Sequence, residues 1–230
     1  SAICEVTGAE VNEVSGAVGL DKRIGSNFLS SGPGFGGSCF KKDILNLVYL
    51  SKYYGLSEVA EYWEQIIKIN NWQKKRISKL IVEKLFGTVS LKKIVILGFA
   101  FKANTNDTRE SPAIDIVKDL IENGAEIIIS DPKVTSSQIS KELNQKEDQK
   151  ELISEVGLWK FSRDIYEAVV NADAVVLLTE WDEYKNLDWE MISKKMRPPS
   201  WVFDARSITN EKDIKKAGLK FWAIGNGSIN

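Results

Sequence analysis

The sequence contains no histidine and only two cysteines, Cys4 and Cys39, in 230 residues. Without an imidazole the chain lacks the usual general base and the commonest metal ligand, so a Ser–His or Cys–His pair cannot be made within it. Two thiols are too few for a disulfide framework or a paired-cysteine metal site, and they suit a reducing compartment. No apolar run approaches the ~20 residues that cross a bilayer, and the chain does not open on a basic segment followed by an apolar one. The cytosol is therefore the expected location. Neither charge is in excess: 31 basic against 32 acidic residues leave a formal net charge of -1. That balance gives no bulk electrostatic reason to expect nucleic acid or a membrane surface as partner. Any anion must be bound locally.

What is present is enough apolar residue, 43% of the chain, for one large domain or two small ones. The opening SAICEVTGAEVNE has no methionine and already reads as helix, so further residues are expected upstream. Thr7 and Glu10 have capping-box spacing, and Val11, Val14 and Val18 follow on one helical face as far as Gly19. A glycine- and serine-rich loop spans residues 26 to 37, too flexible in composition to fix itself, so neighbouring elements or a ligand must hold it. Phe40, Ile44, Leu47, Val48 and Leu50 restore helical period until Gly55. Ser57 is placed to cap a much longer helix that stops at Gly87, with Val59, Tyr62, Trp63, Ile66, Ile67, Ile77, Leu80, Ile81 and Leu85 as its apolar positions. A helix of about thirty residues spans roughly 45 Å, longer than a small domain is wide. Its apolar face is expected to pack on a second subunit; the alternative is a buttress for the following domain.

After Thr88 the period changes. KKIVILG, AEIIISDP, DAVVLLTEW, WVFDAR and LKFWAIG are short β-branched or aromatic runs separated by helical patterns such as PAIDIVKDLIENG and DIYEAVVNA. The alternation predicts an α/β fold with a parallel sheet from about residue 91 to 225. The polar stretch KELNQKEDQKE, residues 141 to 151, reads as a solvated surface insert. Gly98 ends the first strand but is followed by FAFKANTNDTRESP rather than a glycine fingerprint, with Ser111 and Pro112 as the N-cap and first residue of the next helix. A long loop at the carboxyl end of a strand is where such sheets bind ligands, and this one carries Lys102 and Arg109. Asp131, ending the second strand, either accepts from a ribose hydroxyl or makes an Asp-Pro turn.

GPGFGGSCFKKD, residues 32 to 43, offers two chemistries. Gly32, Gly34 and Gly37 have GxGxxG spacing, but a dinucleotide loop needs a strand before it, NFLSS is a poor one, and Pro33 removes a backbone N–H. The thiol fits better. Cys39 falls in the first turn of the helix after Ser38, where free N–H groups, the helix dipole and Lys41 and Lys42 favour a thiolate. Asp43, four residues on, lies on the same face, placed to activate water against a carbon held by sulfur. Cys4, on the apolar face of the first helix, reads as structural.

GFGGSCFKKD with ILNLVYL, GFAFKANTNDTRESPA, SDPKV, LLTEWDEY and FDAR resembles the UDP-glucose/GDP-mannose dehydrogenase family, and within it the eukaryotic UDP-glucose 6-dehydrogenases. The resemblance covers essentially the whole chain. It implies a central helical dimerisation region with the cysteine loop at residues 1–88 and a C-terminal Rossmann-like UDP-sugar domain at 89–230, with the family's N-terminal NAD domain expected upstream. It further implies NAD-dependent oxidation of UDP-glucose to UDP-glucuronate through a thiohemiacetal and a thioester, in a homodimer or higher homo-oligomer. Cys39 is then the nucleophile, Asp43 belongs to the apparatus that activates water, and Lys42 stands at the matching lysine beside it. The loop Ser30, Ser31, Gly32, Pro33, Gly34, Phe35 and Gly36 wraps the sugar, with Phe28 and Leu29 just before it. Arg23 matches an arginine that reaches the substrate of the neighbouring subunit. Phe101 and Lys102 match residues that hold the UDP-sugar, Arg206 matches another substrate arginine, and Arg109 one that contacts NAD. Lys41 and Pro33 depart from the family pattern without touching the thiol or its carboxylate. The fragment alone is expected to be inactive. The alternatives are a dehydrogenase of GDP-mannose or UDP-N-acetylmannosamine, and a noncatalytic nucleotide-sugar-binding dimerisation module. A thiol hydrolase is weakest, for want of a histidine base.

Overall fold

The computed structural model describes residues 1–148 and 157–227. Six strands, β1 (Lys93–Leu97), β2 (Glu126–Ser130), β3 (Leu158–Phe161), β4 (Ala174–Leu177), β5 (Trp201–Asp204) and β6 (Lys220–Ala223), form one parallel sheet in the order β3-β2-β1-β4-β5-β6. This is the doubly wound arrangement, and its strand order reverses between β1 and β4. Helices cover both faces, which is why the central strands read as unbroken apolar runs: Ile94 to Leu97 and Ala174 to Leu177 are fully buried. The α/β expectation therefore holds, and five of the strands fall in the runs identified from period. β3 was not foreseen; its four residues, LWKF, follow a charged stretch and are too short to show alternation.

Around and before the sheet lie α1 (Ala2–Thr7), α2 (Val11–Gly19), α3 (Phe40–Tyr53), α4 (Ser57–Lys84), α5 (Pro112–Glu122), α6 (Ser136–Leu143), α7 (Ile165–Ala168), α8 (Trp189–Lys195) and α9 (Glu211–Lys216). Three local expectations need correction. Thr7 does not cap α2: it ends α1, because Gly8 turns into the left-handed region at φ 80, and Glu10 becomes the N-cap by accepting from Asn12 N at 3.0 Å. Ser57 is the first residue of α4 rather than its cap, which is Leu56 without a side-chain bond. The stretch from residue 141 is not simply solvated. Leu143 is buried, Glu142 accepts from Thr108 Oγ1 at 2.8 Å, and Glu147 accepts from Phe161 N at 2.8 Å. Residues 149–151 of that stretch lie outside the described residues. The cap at Ser111 with Pro112 at the first helical position is as expected, with Ser111 Oγ accepting from Ala113 N.

The helical region joins the sheet through α4. Ile77, Ile81 and Leu85 enter the same core as β1, while Lys74 pairs with Asp115 at 2.6 Å and Ser78 Oγ donates to Asp119 at 2.7 Å along α5. At the far edge, the Glu5 carboxylate accepts from the Arg76 guanidinium and from Gly225 N at 2.8 Å. Val11 N donates to Gly225 O at 2.9 Å. The residues just after β6 are thereby stitched to α1 and α2.

Asp131 settles as the turn and not the ribose acceptor. Its carboxylate is buried and already taken: Oδ2 accepts from Phe99 N at 2.7 Å, Ala100 N at 3.1 Å and Trp181 Nε1 at 3.2 Å, and Oδ1 from Lys133 N and Val134 N at 2.9 Å. Replacing it strands buried N–H donors at roughly 1–3 kcal/mol each. Asp131→Ala is expected to lower stability by at least about 3 kcal/mol in a urea titration, against less than about 1 kcal/mol for Asp182→Ala in an exposed ion pair. Equal effects would refute the assignment of Asp131 as the pin of this loop.

Candidate active site

A doubly wound sheet leaves its crevice outside the carboxyl ends of the strands at the point where the order reverses. Here the loop after β1, residues 98–111, fills that position. Thr179 Oγ1, just past β4, donates to Ala100 O at 2.6 Å, and Phe101 N donates to Asp107 O at 3.1 Å, so the loop folds back on itself. Against it lies the glycine segment. Gly37 N donates to Arg109 O at 2.8 Å, and Lys41 Nζ bonds Glu110 at 2.8 Å. The approach is closest at Gly36, where a Cβ would lie 2.4 Å from Glu110 O. Any side chain there forces the two backbones apart.

Arg206 closes the floor of this junction. It leaves the end of β5 with its backbone N donating to Asp204, and its side chain runs under the loop to Leu178 O at 2.8 Å, Phe101 O at 3.1 Å and Glu180 at 3.1 Å. Burial lowers its guanidinium from the ordinary arginine value, and the Glu180 and Asp204 carboxylates oppose that shift. Its terminal nitrogen also abuts Gly32, where a Cβ would come within 3.1 Å. Phe101, Arg206 and the glycine segment are thus assembled in one place, as the sequence implied. Lys102 is exposed, its ammonium 5.5 Å from the Phe101 ring centre.

Cys39 stands at the N-cap of α3 rather than in its first turn, with φ -99 and ψ -55, and is exposed. The one-residue shift leaves the thiol at the mouth of the helix, 3.5 Å from Ser38 Oγ. Asp43 N donates to Cys39 O at 2.9 Å, the first helical bond of α3, so Asp43 sits one turn above Cys39 on the same side. Lys42 and Asp43 are both exposed. A cleft of about 550 Å³ opens beside them, lined by Gly37, Ser38, Lys41, Lys42, Arg109 and Glu142 among others. Arg109 is bonded to Asp107 at 2.9 and 2.7 Å, which holds the Asp107 carboxyl below the usual range. The same bonds raise the Arg109 guanidinium. Cys4, by contrast, is buried.

Other expected site residues stand apart from this junction. Arg23 is exposed and pairs with Asp21, two residues away. Phe28 is fully exposed with φ 66, Leu29 packs near Gly19 at the end of α2, and Ser30 is exposed. Pro33 is buried, Phe35 packs edge-on to Phe40 at 4.7 Å, and Ser31 Oγ is buried without a hydrogen-bond partner. Sequence reasoning overlooked Asn70 and Gln73 of α4, which bond the backbone of Phe35 and Gly32. The available signal was the spacing of Asn70, Lys74 and Ser78, polar residues four apart that share the buried side of α4.

The residues present do not form a dinucleotide cradle. The GxGxxG spacing of the glycine segment follows no strand, and Phe35 N is taken by Asn70. At the end of β1, where a Rossmann turn offers N–H groups to a pyrophosphate, Phe99 N and Ala100 N are occupied by Asp131. Arg109, exposed and paired with Asp107, lines the cleft beside Lys42.

The central-domain model of the UDP-glucose/GDP-mannose dehydrogenase family matches residues 1–72, and that family's UDP-binding-domain model matches residues 95–211. The chain belongs to the UDP-glucose/GDP-mannose dehydrogenase family. Its relatives in that family include UDP-glucose 6-dehydrogenase 4 of Arabidopsis thaliana, 50% identical over 98% of this chain and 48% of that protein. The UDP-glucose 6-dehydrogenase of Caenorhabditis elegans is 47% identical over 98% of this chain and 46% of that protein. Among solved structures, a UDP-glucose dehydrogenase from Pyrobaculum islandicum superposes with a TM-score of 0.74 at 27% identity, over 95% of this chain and 44% of that one. The chain thus spans about half the length of the curated relatives it matches.

The close approach at Gly36 makes a direct test within this family member. Gly36→Ala is expected to unfold at a lower denaturant concentration, by roughly 1–3 kcal/mol, since overpacking against backbone must be relieved by displacement. Gly16→Ala, in α2 with open space around it, is expected to be neutral or stabilising by up to about 1 kcal/mol. Both variants giving the same shift would contradict the packing described.

Proposed function

We propose that the intact protein oxidises UDP-glucose to UDP-glucuronate in two NAD-dependent steps, with Cys39 as the covalent nucleophile. The observation that carries the reading is the placement of an exposed thiol at the N-cap of α3, with a carboxylate one turn on and a cleft next to it lined by Ser38, Lys42 and Arg109. About half the residues are shared with proteins named UDP-glucose 6-dehydrogenases, which favours this sugar over the others named among family structures. NAD, when bound, supplies the hydride acceptor for both oxidations. Arg109 is the residue of this chain proposed to touch it. The rest of the NAD site belongs to a separate domain, and the isolated chain is expected to be inactive.

The residues divide the work by chemistry. Once the C6 alcohol has lost a hydride and its hydroxyl proton to become the aldehyde, the Cys39 thiolate adds to that carbon, forming a C–S bond and an alkoxide that takes up a proton to give the thiohemiacetal. Loss of hydride from that carbon and of the hydroxyl proton leaves the thioester. Asp43 takes a proton from the attacking water, the C–S bond breaks, and the thiolate leaves a carboxylate behind. Lys42 stands beside this step as positive charge. Ser30 to Gly36, preceded by Phe28 and Leu29, wrap the sugar; Phe101, Lys102 and Arg206 hold the nucleotide sugar; and Arg23, exposed and paired with Asp21, reaches the substrate of a neighbouring subunit. We place the protein in the cytosol, whose reducing conditions suit two free thiols. The division into a central helical region and a UDP-sugar domain is placed at residues 88 and 89.

The subunit arrangement follows from α4. Tyr62, Gln65, Ile66, Lys68, Ile69 and Trp72 line a groove of about 480 Å³ on its outer side, and Val59, Tyr62, Ile69 and Trp72 are exposed. A second copy of this chain is the proposed occupant. Sedimentation at micromolar concentration is expected to give a dimer or larger assembly, dissociated by Ile66→Glu and unaffected by Lys75→Glu. A monomeric wild-type protein would sink this arrangement.

In the full-length protein, Cys39→Ser and Asp43→Asn should fail differently. Cys39→Ser removes the nucleophile that acts after the alcohol oxidation, so the burst is expected to fall to at most one NADH per site, with the second lost. Asp43→Asn keeps the hydride steps and slows hydrolysis, giving a burst followed by turnover reduced roughly 10²- to 10⁴-fold as thioester accumulates. Single-turnover absorbance separates the two. An equal loss of the burst in both variants would remove Asp43 from water activation.

A further inference from the structure

The glycine segment meets α4 on the side away from the sheet, through two side-chain amides. Asn70, which is buried, pairs with Phe35 at both polar ends: Phe35 N donates to Oδ1 at 2.8 Å, and Nδ2 donates to Phe35 O at 3.2 Å. Gln73, three residues further along the helix, donates from Nε2 to Gly32 O at 2.9 Å. The Gln73 amide cannot be turned round. Its Oε1 accepts from Arg76 Nε at 3.0 Å, and a guanidinium offers donors only, so the amide nitrogen must face Gly32. Arg76 is in turn held by both oxygens of Glu5, at 2.5 and 3.0 Å. Gly34 lies between these contacts at φ 135, with no room for a Cβ, which would come 2.8 Å from Asn70 Oδ1.

We propose that Asn70 and Gln73 are positioning residues for substrate binding. They hold the Gly32–Phe35 backbone in the conformation that receives the sugar, and Arg76 with Glu5 sets the direction of the Gln73 amide. The inference rests on the reading of this segment as the sugar loop of a UDP-glucose dehydrogenase. A segment rich in glycine loses much conformational entropy on ordering. Ordering it in the free protein removes that cost from the binding step, so the effect belongs in substrate affinity. Neither amide touches Cys39 or Asp43, so the chemical step is left to those residues. Arg206 bounds Gly32 from the opposite side, and the loop is held between two fixed polar groups.

The test uses the full-length protein and three substitutions. Asn70→Ala removes both bonds to Phe35; Gln73→Met keeps the shape and loses the bond to Gly32; Arg76→Leu leaves Gln73 in place but free to flip. KM for UDP-glucose is expected to rise about tenfold in Gln73→Met, the weight of one lost hydrogen bond, and at least about tenfold in Asn70→Ala, which loses two. KM for NAD should stay unchanged and kcat should move less than about twofold. Arg76→Leu should shift KM for UDP-glucose in the same direction by a smaller factor. Amide hydrogen exchange in the ligand-free protein is the independent readout: Phe35 N–H should exchange about tenfold faster in Asn70→Ala, while amides of β1 and β4 keep their protection. Unchanged exchange at Phe35 would show that Asn70 does not hold the loop. Faster exchange with an unchanged KM for UDP-glucose would show that holding it does not serve binding. A fall in kcat equal to the loss in kcat/KM would place the residues in the chemistry instead. Any of the three overturns the proposal. Failure of the functional reading is seen separately, as wild-type protein that reduces no NAD with UDP-glucose, and the exchange rates then still judge whether the amides hold the segment.

Discussion

The arrangement of the site depends on one buried carboxylate. Asp131 ends β2, yet its oxygens are spent on the first two N–H groups after the glycine that closes β1, and on the indole of Trp181 after β4. Three chain segments that would otherwise leave the sheet independently are brought to one point. From there the path of the loop is constrained: Phe101 lies next to the tied residues, and its carbonyl takes a donor from Arg206. Glu180, next to Trp181, supplies the counter-charge for the same arginine. The N–H groups that a nucleotide-binding turn would offer to phosphate are used here to hold the protein's own chain. A Rossmann-like unit has thereby become a support for a loop.

The glycine segment borrows its shape from both sides. Toward the sheet it is fixed by backbone contacts to Arg109 and Glu110, and toward α4 by the amides of Asn70 and Gln73. Cys39 follows directly, as the N-cap of α3, so the position of the thiol is inherited from a loop that has little structure of its own. This explains how a stretch with glycine at positions 32, 34, 36 and 37 can precede a thiol held in a defined place. Flexibility of composition and rigidity of position coexist because the constraints come from elsewhere in the chain.

Much of the architecture was legible in the residues. Five strands announced themselves as β-branched runs because both faces of a doubly wound sheet are buried, and Ser111 with Pro112 marked a helix start by side-chain chemistry alone. The spacing of Cys39 and Asp43 survived translation into structure because a helical turn converts four residues into adjacency. What escaped notice was decided by distant partners. β3 is stabilised by pairing along β2, which a four-residue window cannot reveal. Charged residues at the end of α6 and after it read as solvated, yet Glu142 and Glu147 find donors in Thr108 and Phe161. Asn70 and Gln73 looked like ordinary polar positions on a long helix, since their acceptors and donors are backbone groups whose placement no local pattern encodes. Thr7 and Ser57 failed as caps for the opposite reason. Local chemistry suggested them, but Gly8 and the turn at Leu56 set the helix starts first.

The bond between Glu5 and Gly225 joins residues separated by 220 positions in the chain. Such a contact brings almost no reward until the sheet exists, because the loop it closes contains all six strands of the described residues. At ribosomal speeds of ~5–20 residues per second, α1 emerges roughly 10–40 s before the segment it must dock against. During that interval Cys4 has no wall to lie against, and Arg76 has no carboxylate fixed in place to orient it. The order of assembly is therefore opposite to the order of synthesis at this corner of the molecule. α1 settles only after β6, which follows it by more than two hundred residues, has been laid down.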